Sequence, residues 1–125
     1  KVKILHEEYD ASLGKEIFIS ANDASQDILL GFVRLRIPFK PFRKEITSNS
    51  AGIRELHVYG TATALNKEGE VQHHGLGKQL MQEAEKIAKE KFDIKKLLVI
   101  SGIGVKEYYR NLGYKNDGVY VSKVL

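Results

Sequence analysis

The chain changes its hydrophobic period at one stretch, Val71-Gln72-His73-His74-Gly75-Leu76-Gly77-Lys78. Upstream of it, apolar and polar residues alternate as in β-strands, whereas downstream Leu80, Ala84 and Ile87 recur at the spacing of an amphipathic helix. Glycines at such a junction let the backbone turn tightly and approach a ligand without interference from a Cβ atom. The stretch therefore predicts a loop over residues 72–77 that leads from a strand into a helix.

Alternation in the first half of the chain predicts four strands, at residues 2–9, 16–21, 28–37 and 53–59. In the third strand, Val33 and Leu35 share one face while Arg34 and Arg36 share the other. The last strand is followed by a polar segment, in which Asn66-Lys67-Glu68-Gly69 predicts a surface turn.

The second half predicts two helices and two strands, in the order helix 77–91, strand 97–100, helix 105–112 and strand 119–125. The run from Leu97 to Ile100 is apolar without interruption, as expected of a strand that is covered on both faces. Gly113 stands where a helix commonly ends with a glycine. This order of elements predicts a mixed α/β sheet with helices on its faces.

Length and composition indicate one globular domain over residues 1–125. Apolar residues make up 42% and charged residues 29% of the chain, which is ordinary for a soluble protein. The chain has no cysteine, and no apolar run reaches the length of a membrane span. We therefore expect a cytoplasmic protein without membrane contact. Because the chain starts at Lys1 without a methionine, we expect it to be part of a longer protein.

The glycine-containing stretch also predicts an anion site. The first turn of a helix has unpaired N–H groups and a positive dipole end, which together bind phosphate, and Lys78 adds a full charge. The alternative is that Gly75 and Gly77 only shape the entry into the helix. Two other phosphate motifs are excluded: a P-loop needs a hydroxyl residue after Lys78, and a dinucleotide-binding loop needs a third glycine where Leu80 stands.

The pattern from Gln72 to Gly77, glutamine-x-x-glycine-x-glycine, resembles the pyrophosphate loop of the GNAT acetyltransferase superfamily. Further along, Tyr109-Arg110-Asn111-Leu112-Gly113-Tyr114 resembles the second signature of that superfamily. The resemblance implies a GNAT-type mixed, mostly antiparallel central sheet flanked by helices. It also implies an acyltransferase that binds acetyl-CoA as a substrate.

Three strings narrow the resemblance: RELHVYG at 54–60, ISGIG at 100–104 and YYRNLGY at 108–114. They resemble the C-terminal domain of the family of the catalytic subunit 3 of Elongator. That resemblance implies cleavage of the acetyl-CoA thioester for the modification of wobble uridine 34 in tRNA, in the carboxymethyluridine pathway. The implied partners are tRNA, other Elongator-type subunits and an upstream radical S-adenosylmethionine (SAM) domain. The iron–sulfur cluster and S-adenosylmethionine would belong to that domain, since this chain has no cysteine.

The resemblance assigns two segments to acetyl-CoA. The backbone of one strand would pair with the pantetheine arm, through Glu55, Leu56, His57 and Val58. The pyrophosphate would contact the glycine-containing stretch, through Gln72, His73, His74, Gly75, Leu76, Gly77 and Lys78. By alternation Glu55, His57 and Tyr59 share one face of their strand.

Three residues are candidates for catalysis. Glu55 is a candidate general base, as a carboxylate on this strand is in many GNAT enzymes, and the alternative is an ion pair with Arg54 or another cation at the end of the sheet. Tyr109 stands four residues before Gly113, where the resemblance implies a hydroxyl that contacts both cofactor and leaving thiolate. Tyr108 is the third candidate, although helical spacing also allows both tyrosines to be core residues.

Five cations surround the segment from Pro38 to Pro41, with phenylalanines between them: Arg34, Arg36, Lys40, Arg43 and Lys44. Such a mixture can contact RNA phosphates and stack on bases, and the alternative is a solvated basic face. The adjacent His73 and His74 point in different directions and lack supporting ligand spacing, so no metal site is expected.

Two other functions fit the same sequence. One is a stand-alone GNAT N-acetyltransferase that acts on a protein or small-molecule amine. The other is a non-catalytic GNAT-like domain that binds RNA or a partner protein. The intact glycine-containing stretch and Tyr109 favour an enzyme over the second alternative.

Overall fold

The computed structural model describes residues 2–11, 14–38, 49–59, 67–100, 106–118 and 120–125, and the side chains of all of these except residues 67–74 and 100. These residues form seven strands and two helices. The strands are β1 (Val2–Ala11), β2 (Gly14–Asp23), β3 (Ile28–Pro38), β4 (Ser50–Val58), β5 (Lys96–Ile100), β6 (Lys115–Asp117) and β7 (Tyr120–Val124). The helices are α1 (Lys67–Phe92) and α2 (Lys106–Asn111).

The strands form one sheet in the order β1-β2-β3-β4-β5-β7-β6. Strands β4 and β5 run parallel, and the other neighbouring pairs are antiparallel. The predicted mixed, mostly antiparallel sheet with helices is therefore confirmed, and each predicted strand overlaps an observed one. The covered strand at 97–100 is also confirmed, because Leu97, Leu98 and Val99 are buried.

Strands β1 to β4 form where apolar and polar residues alternate, because alternation places one kind of side chain on each face. On β2 and β3 the apolar face contains Ile17, Ile19, Val33 and Leu35, which are fully buried. They lie opposite one another in the register, Ile17 beside Leu35 and Ile19 beside Val33. Helix α1 packs on this face. The opposite face of β1–β4, which we call the far face, carries charged and aromatic side chains.

Helix α1 supplies the other half of the core. Its buried apolar residues recur at steps of one, three or four positions and so form the single stripe of an amphipathic helix: Leu76, Leu80, Met81, Ala84, Ile87 and Ala88. The predicted stripe of Leu80, Ala84, Ile87 and Ala88 is confirmed. Neither helix in the described part of the chain combines the length and the apolar character needed to cross a membrane.

The helix begins earlier than the sequence predicted. We expected a turn at residues 66–69 and a loop over 72–77, whereas residues 67–77 belong to α1, so that part of the prediction is wrong. Asn66 lies outside the described residues. The apolar stripe continues back to Leu76, which is 0% exposed. Burial of a leucine contributes about 1.5–3 kcal/mol, which offsets the roughly 1 kcal/mol that Gly75 and Gly77 each cost inside a helix.

Helix α2 ends as predicted at Gly113, which has a φ of 99°. The Tyr114 N–H donates to the Tyr109 carbonyl and the Gly113 N–H donates to the Arg110 carbonyl, each at 3.0 Å. This pair of bonds requires a residue in the left-handed region, which glycine adopts without strain. Strand β6 was not predicted, because its three residues are all polar and form a strand only by pairing with β7.

We expect Leu76→Ala to lower the free energy of unfolding by about 2–5 kcal/mol, because a fully buried side chain would leave a cavity. Urea denaturation followed by circular dichroism measures this change. Lys86→Ala, at an exposed position of the same helix, is the matched control and should change stability little. Equal stability of both variants would contradict the extension of α1 through residue 76.

Candidate functional site

The sheet opens between its two parallel strands. Residues 50–53 of β4 pair with residues 96–99 of β5, although β4 continues to Val58. In the described part of the chain no strand pairs with residues 54–58 on the side of β5. We call the space between residues 54–58 and β5 the split. Its β4 edge presents backbone N–H and C=O groups that an extended ligand can pair with.

An extra residue in β4 lies where the two strands part. Opposite β3, Glu55 pairs with Arg34 and Ile53 pairs with Leu35, so that Arg54 is left between the two pairs. Such a bulge bends the strand and increases its twist. The bulge thus coincides with the end of the pairing between β4 and β5.

Two aromatic rings of α2 lie on the α1 side of the split. A Cβ atom at Gly77 of α1 would overlap the hydroxyl oxygen of Tyr108, and it would lie 3.7 Å from Cγ2 of Val58. The glycine therefore lets Tyr108 and Val58 come together at one place. The ring of Tyr109 packs edge-on against that of Tyr108, with 5.2 Å between the centroids.

The two tyrosines differ in exposure. Tyr108 is 41% exposed, whereas Tyr109 is 8% exposed and belongs to the core. Burial raises the pKa of the Tyr108 phenol, and burial together with the neighbouring Tyr108 raises the pKa of Tyr109. Both phenols therefore stay protonated at neutral pH and can donate a hydrogen bond.

A polar contact group fixes the end of α2 to the rest of the domain. The Tyr114 hydroxyl donates to Glu85 of α1 at 2.7 Å, and Lys123 of β7 contacts the same carboxylate at 3.2 Å. Lys123 also donates to the Leu112 carbonyl at 3.2 Å. Burial and the bond to Glu85 raise the pKa of Tyr114. The carboxylate of Glu85 therefore turns toward Tyr114 and Lys123.

Beside this contact group lies a cleft of about 230 Å³ between α1 and the end of α2. Polar side chains line it: Lys78, Gln82, Glu85, Asn111 and Lys123. Lys78 is exposed at its rim, so an anionic group in the cleft would find a positive charge there.

On the far face, a row of polar contacts runs from β1 to β4. Glu55 accepts a hydrogen bond from Arg34 Nε at 3.1 Å, and its other oxygen lies 3.1 Å from Nε2 of His57. Arg34 also donates to the Tyr9 hydroxyl at 2.9 Å. The ring of His57 lies 5.3 Å from that of Phe32. The expected shared face of Glu55 and His57 is confirmed, because these residues lie opposite Arg34 and Phe32.

The same face holds a nearly buried carboxylate, Glu16. It contacts Arg54 at 2.7 Å, Arg36 at 3.3 Å and Arg34 at 3.9 Å. Burial alone would raise the pKa of Glu16. The hydrogen bonds and charges of Arg54 and Arg36 nevertheless hold this pKa below its ordinary value. Glu55 does pair with a cation, as the alternative reading expected: its partner is Arg34, whereas Arg54 contacts Glu16.

These contacts bear on the predicted basic cluster. Arg34 and Arg36 are both engaged with carboxylates and are partly buried. Lys40, Arg43 and Lys44 lie outside the described residues. Among the side chains that are described, no group of three histidine, aspartate or glutamate residues is placed to hold a metal ion.

The predicted pyrophosphate residues divide into three groups. The side chains of Gln72, His73 and His74 lie outside the described set, while their backbone is helical. Leu76 is buried in the core and therefore faces away from solvent. Gly75 and Lys78 are exposed, and a Cβ atom at Gly75 would meet no atom within 4 Å.

Sequence reasoning missed the contacts that join distant elements. Glu85 and Lys123 were not singled out for a site, and Arg34 was assigned to RNA rather than to Glu55. The alternation in β3 and β4 does place Arg34 and Glu55 on faces, but only the register brings them opposite each other.

The acetyltransferase (GNAT) family profile matches residues 3–114. The chain is 55% identical to tRNA uridine(34) acetyltransferase of Methanocaldococcus infernus over 99% of its length, and it covers 24% of that protein. It is 46% identical to Elongator complex protein 3 of Dictyostelium discoideum over its full length, and covers 23% of it. The chain thus spans about a quarter of these curated relatives.

A solved structure, that of the archaeal Methanocaldococcus infernus Elp3 with an N-terminal deletion, superposes with a TM-score of 0.86 at 51% identity. The superposition covers 99% of this chain and 30% of that one. Because the family profile matches residues 3–114, which is most of the chain, the chain belongs to the GNAT acetyltransferase family.

Proposed function

We propose that this chain is the acetyl-CoA-binding domain of a tRNA uridine(34) acetyltransferase, in which it cleaves the acetyl-CoA thioester to modify wobble uridine 34. The observation that carries the proposal is the split, where an open strand edge lies next to the pair Tyr108 and Tyr109. The names of relatives at 55% and 46% identity supply the class of acceptor.

The pantetheine arm of acetyl-CoA is an extended chain with two amide groups. It is proposed to pair with the β4 edge over residues 55–58, as an added strand would. This assignment gives Glu55, Leu56, His57 and Val58 their role through the backbone. Their side chains alternate between the faces, with Val58 beside Gly77 and His57 on the far face.

The diphosphate end is proposed to lie along residues 72–78. Within α1, the amides of Gly75 and Gly77 belong to the helical ladder, so the contact would rest on the bare surface at Gly75 and on the charge of Lys78. The nearby polar cleft supports an anionic ligand at this end.

The two tyrosines are proposed to have separate roles. Tyr108 is partly exposed with its hydroxyl beside Gly77, and this hydroxyl would contact bound ligand before reaction. Tyr109 is the proposed donor to the departing thiolate, because it occupies the family position and its phenol is buried and protonated. A hydrogen bond to a charge that develops during reaction is strongest where water is excluded.

The rest of the protein is proposed to supply a radical SAM domain with its iron–sulfur cluster and S-adenosylmethionine, and tRNA and other Elongator-type subunits are proposed partners. A cysteine-bound cluster cannot come from this chain, which has no cysteine. The domain itself is proposed to comprise residues 1–125.

We expect Gly75→Ala to make the domain more stable by about 0.5–1 kcal/mol but to weaken acetyl-CoA binding about tenfold or more. The methyl group meets no protein atom and favours the helix, yet it would occupy surface proposed for the diphosphate. Calorimetric titration and thermal melts measure the two effects. Gln79→Ala, at an exposed position of the same helix, is the control, and unchanged affinity in Gly75→Ala would remove Gly75 from the site.

We expect Tyr109→Phe in the full-length protein to lower the rate of thiol release from acetyl-CoA by about tenfold to a thousandfold, with little change in affinity. Tyr108→Phe should instead weaken acetyl-CoA binding and leave the rate at saturation close to that of the parent. Affinity is measured by calorimetry and rate by a thiol-reactive dye, with and without tRNA. If Tyr108→Phe instead lowered the rate and Tyr109→Phe instead weakened binding, the donor role would belong to Tyr108.

We expect replacement of Lys40, Arg43 and Lys44 by alanine to weaken tRNA binding. The salt slope of binding should fall by about 0.7–0.9 for each RNA phosphate that these side chains neutralise in the parent. The affinity for acetyl-CoA should be unchanged. The control replaces three exposed cations elsewhere, Lys86, Lys89 and Lys95, and removes the same charge. An equal decrease in tRNA affinity in the two triple variants would indicate a general charge effect.

Arg34 and Arg36 are left in place in this test because they neutralise carboxylates on the far face. Their replacement would change the stability of the sheet together with any RNA binding, so the two effects could not be separated.

A further inference from the structure

Beside the split, residues 57 and 58 of β4 present their side chains to opposite faces of the sheet. Val58 points to the α1 side, where Gly77 and the Tyr108 hydroxyl lie. His57, the preceding residue, points to the far face and is 53% exposed at its side chain. A group bound along the β4 edge would therefore have the tyrosine pair on one side and His57 on the other.

The imidazole of His57 is held in place by contacts on two sides. Its ring lies parallel to that of Tyr59, with 15° between the planes and 6.3 Å between the centroids, and it also packs near Phe32. Its Nε2 atom lies 3.1 Å from Glu55. A neutral imidazole that donates Nε2–H to this carboxylate has Nδ1 left as a proton acceptor.

Glu55 is itself held by its second oxygen. Oε1 accepts the hydrogen bond from Arg34 Nε, while Oε2 faces His57. Arg34 is fixed in turn by the Tyr9 hydroxyl and by its position over the rings of Phe18 and Phe32. A carboxylate that is occupied on both oxygens is better suited to orient a neighbouring base than to accept a proton directly.

We propose that His57, not Glu55, accepts the proton of the nucleophile that attacks the acetyl-CoA thioester, and that Glu55 and Arg34 are positioning residues. This inference rests on the proposed acetyl-CoA function. It assigns the proton donor and the proton acceptor to opposite faces of the same split.

With water as the nucleophile, the water O–H bond breaks and its proton passes to Nδ1 of His57, while the oxygen electron pair bonds to the carbonyl carbon and the C=O π pair moves onto the carbonyl oxygen. That pair re-forms the C=O bond when the tetrahedral intermediate collapses. The C–S bond then breaks, and its electron pair leaves on sulfur, which takes a proton from the Tyr109 hydroxyl. The proton on His57 returns through solvent to the tyrosinate. The products are acetic acid, which ionises in solution, and coenzyme A, so atoms and charge balance.

The test uses the full-length protein and His57→Phe, which retains an aromatic ring beside Phe32 and Tyr59 but has no ring nitrogen. We expect kcat for thiol release from acetyl-CoA to fall by about 10²- to 10⁴-fold, the range for loss of a general base. The KM and the calorimetric Kd for acetyl-CoA should stay within about twofold of the parent, because the imidazole acts only in the transition state. His6→Phe, an exposed histidine on β1, is the matched control and should keep the parental rate.

Two further variants separate a chemical role from a packing role. Added imidazole should restore part of the rate in His57→Ala, because it can enter the space and accept the proton. Glu55→Gln should lower kcat by about tenfold, without rescue by imidazole, since the base is present but misoriented.

The outcomes distinguish the inference from the function on which it rests. If the parent protein does not bind acetyl-CoA, the proposed function fails. If the parent binds acetyl-CoA and releases the thiol, a parental rate in His57→Phe overturns the inference alone. A slow His57→Ala variant that imidazole does not rescue also overturns it, because a packing role would give that result.

Discussion

The parting of β4 from β5 after Ile53 and Val99 is the constraint on which the site depends. A parallel strand that stayed paired along its whole length would use its backbone donors and acceptors inside the sheet. Here the backbone donors and acceptors on one edge of residues 54–58 remain available to another partner. Helix α1, which follows β4 along the chain, brings Gly77 to that edge. The fold therefore offers a place with the shape and hydrogen-bonding pattern of a strand.

Arg54 takes part both in the ion pairs of the far face and in the bulge where the sheet opens. Arg54 is the extra residue of the β4 bulge, and its guanidinium contacts the nearly buried Glu16 at 2.7 Å. A buried carboxylate is costly unless it is paired, so the position of Arg54 is tied to the solvation of Glu16. The bulge is thus anchored to β2, two strands away from the split, by an ion pair.

Much of the fold could be predicted from the sequence, because the strands and the amphipathic part of α1 have clear hydrophobic periods. The start of α1 could not be predicted, because the local sequence with Gly75 and Gly77 indicates a loop. The helix extends through this stretch because Leu76 is buried against a sheet whose strands are distant in sequence. Strand β6 could not be predicted either, because its three polar residues show no alternation of apolar and polar side chains. In the site, the sequence predicted that Glu55 and His57 take part, but the side chains they contact depend on the register between neighbouring strands. Alternation shows that Glu55 and His57 share a face, and only the three-dimensional structure puts Arg34 against Glu55.

The position of β7 has a consequence for synthesis on the ribosome. Although β7 is the last strand along the chain, it lies between β5 and β6, and it carries Lys123, which holds Glu85 and the end of α2. Until residues 120–124 leave the exit tunnel, the apolar strand β5 has one bare edge, which is a template for wrong pairing. The contacts of Lys123 with Glu85 and with the end of α2 therefore form only after β7 has joined the sheet.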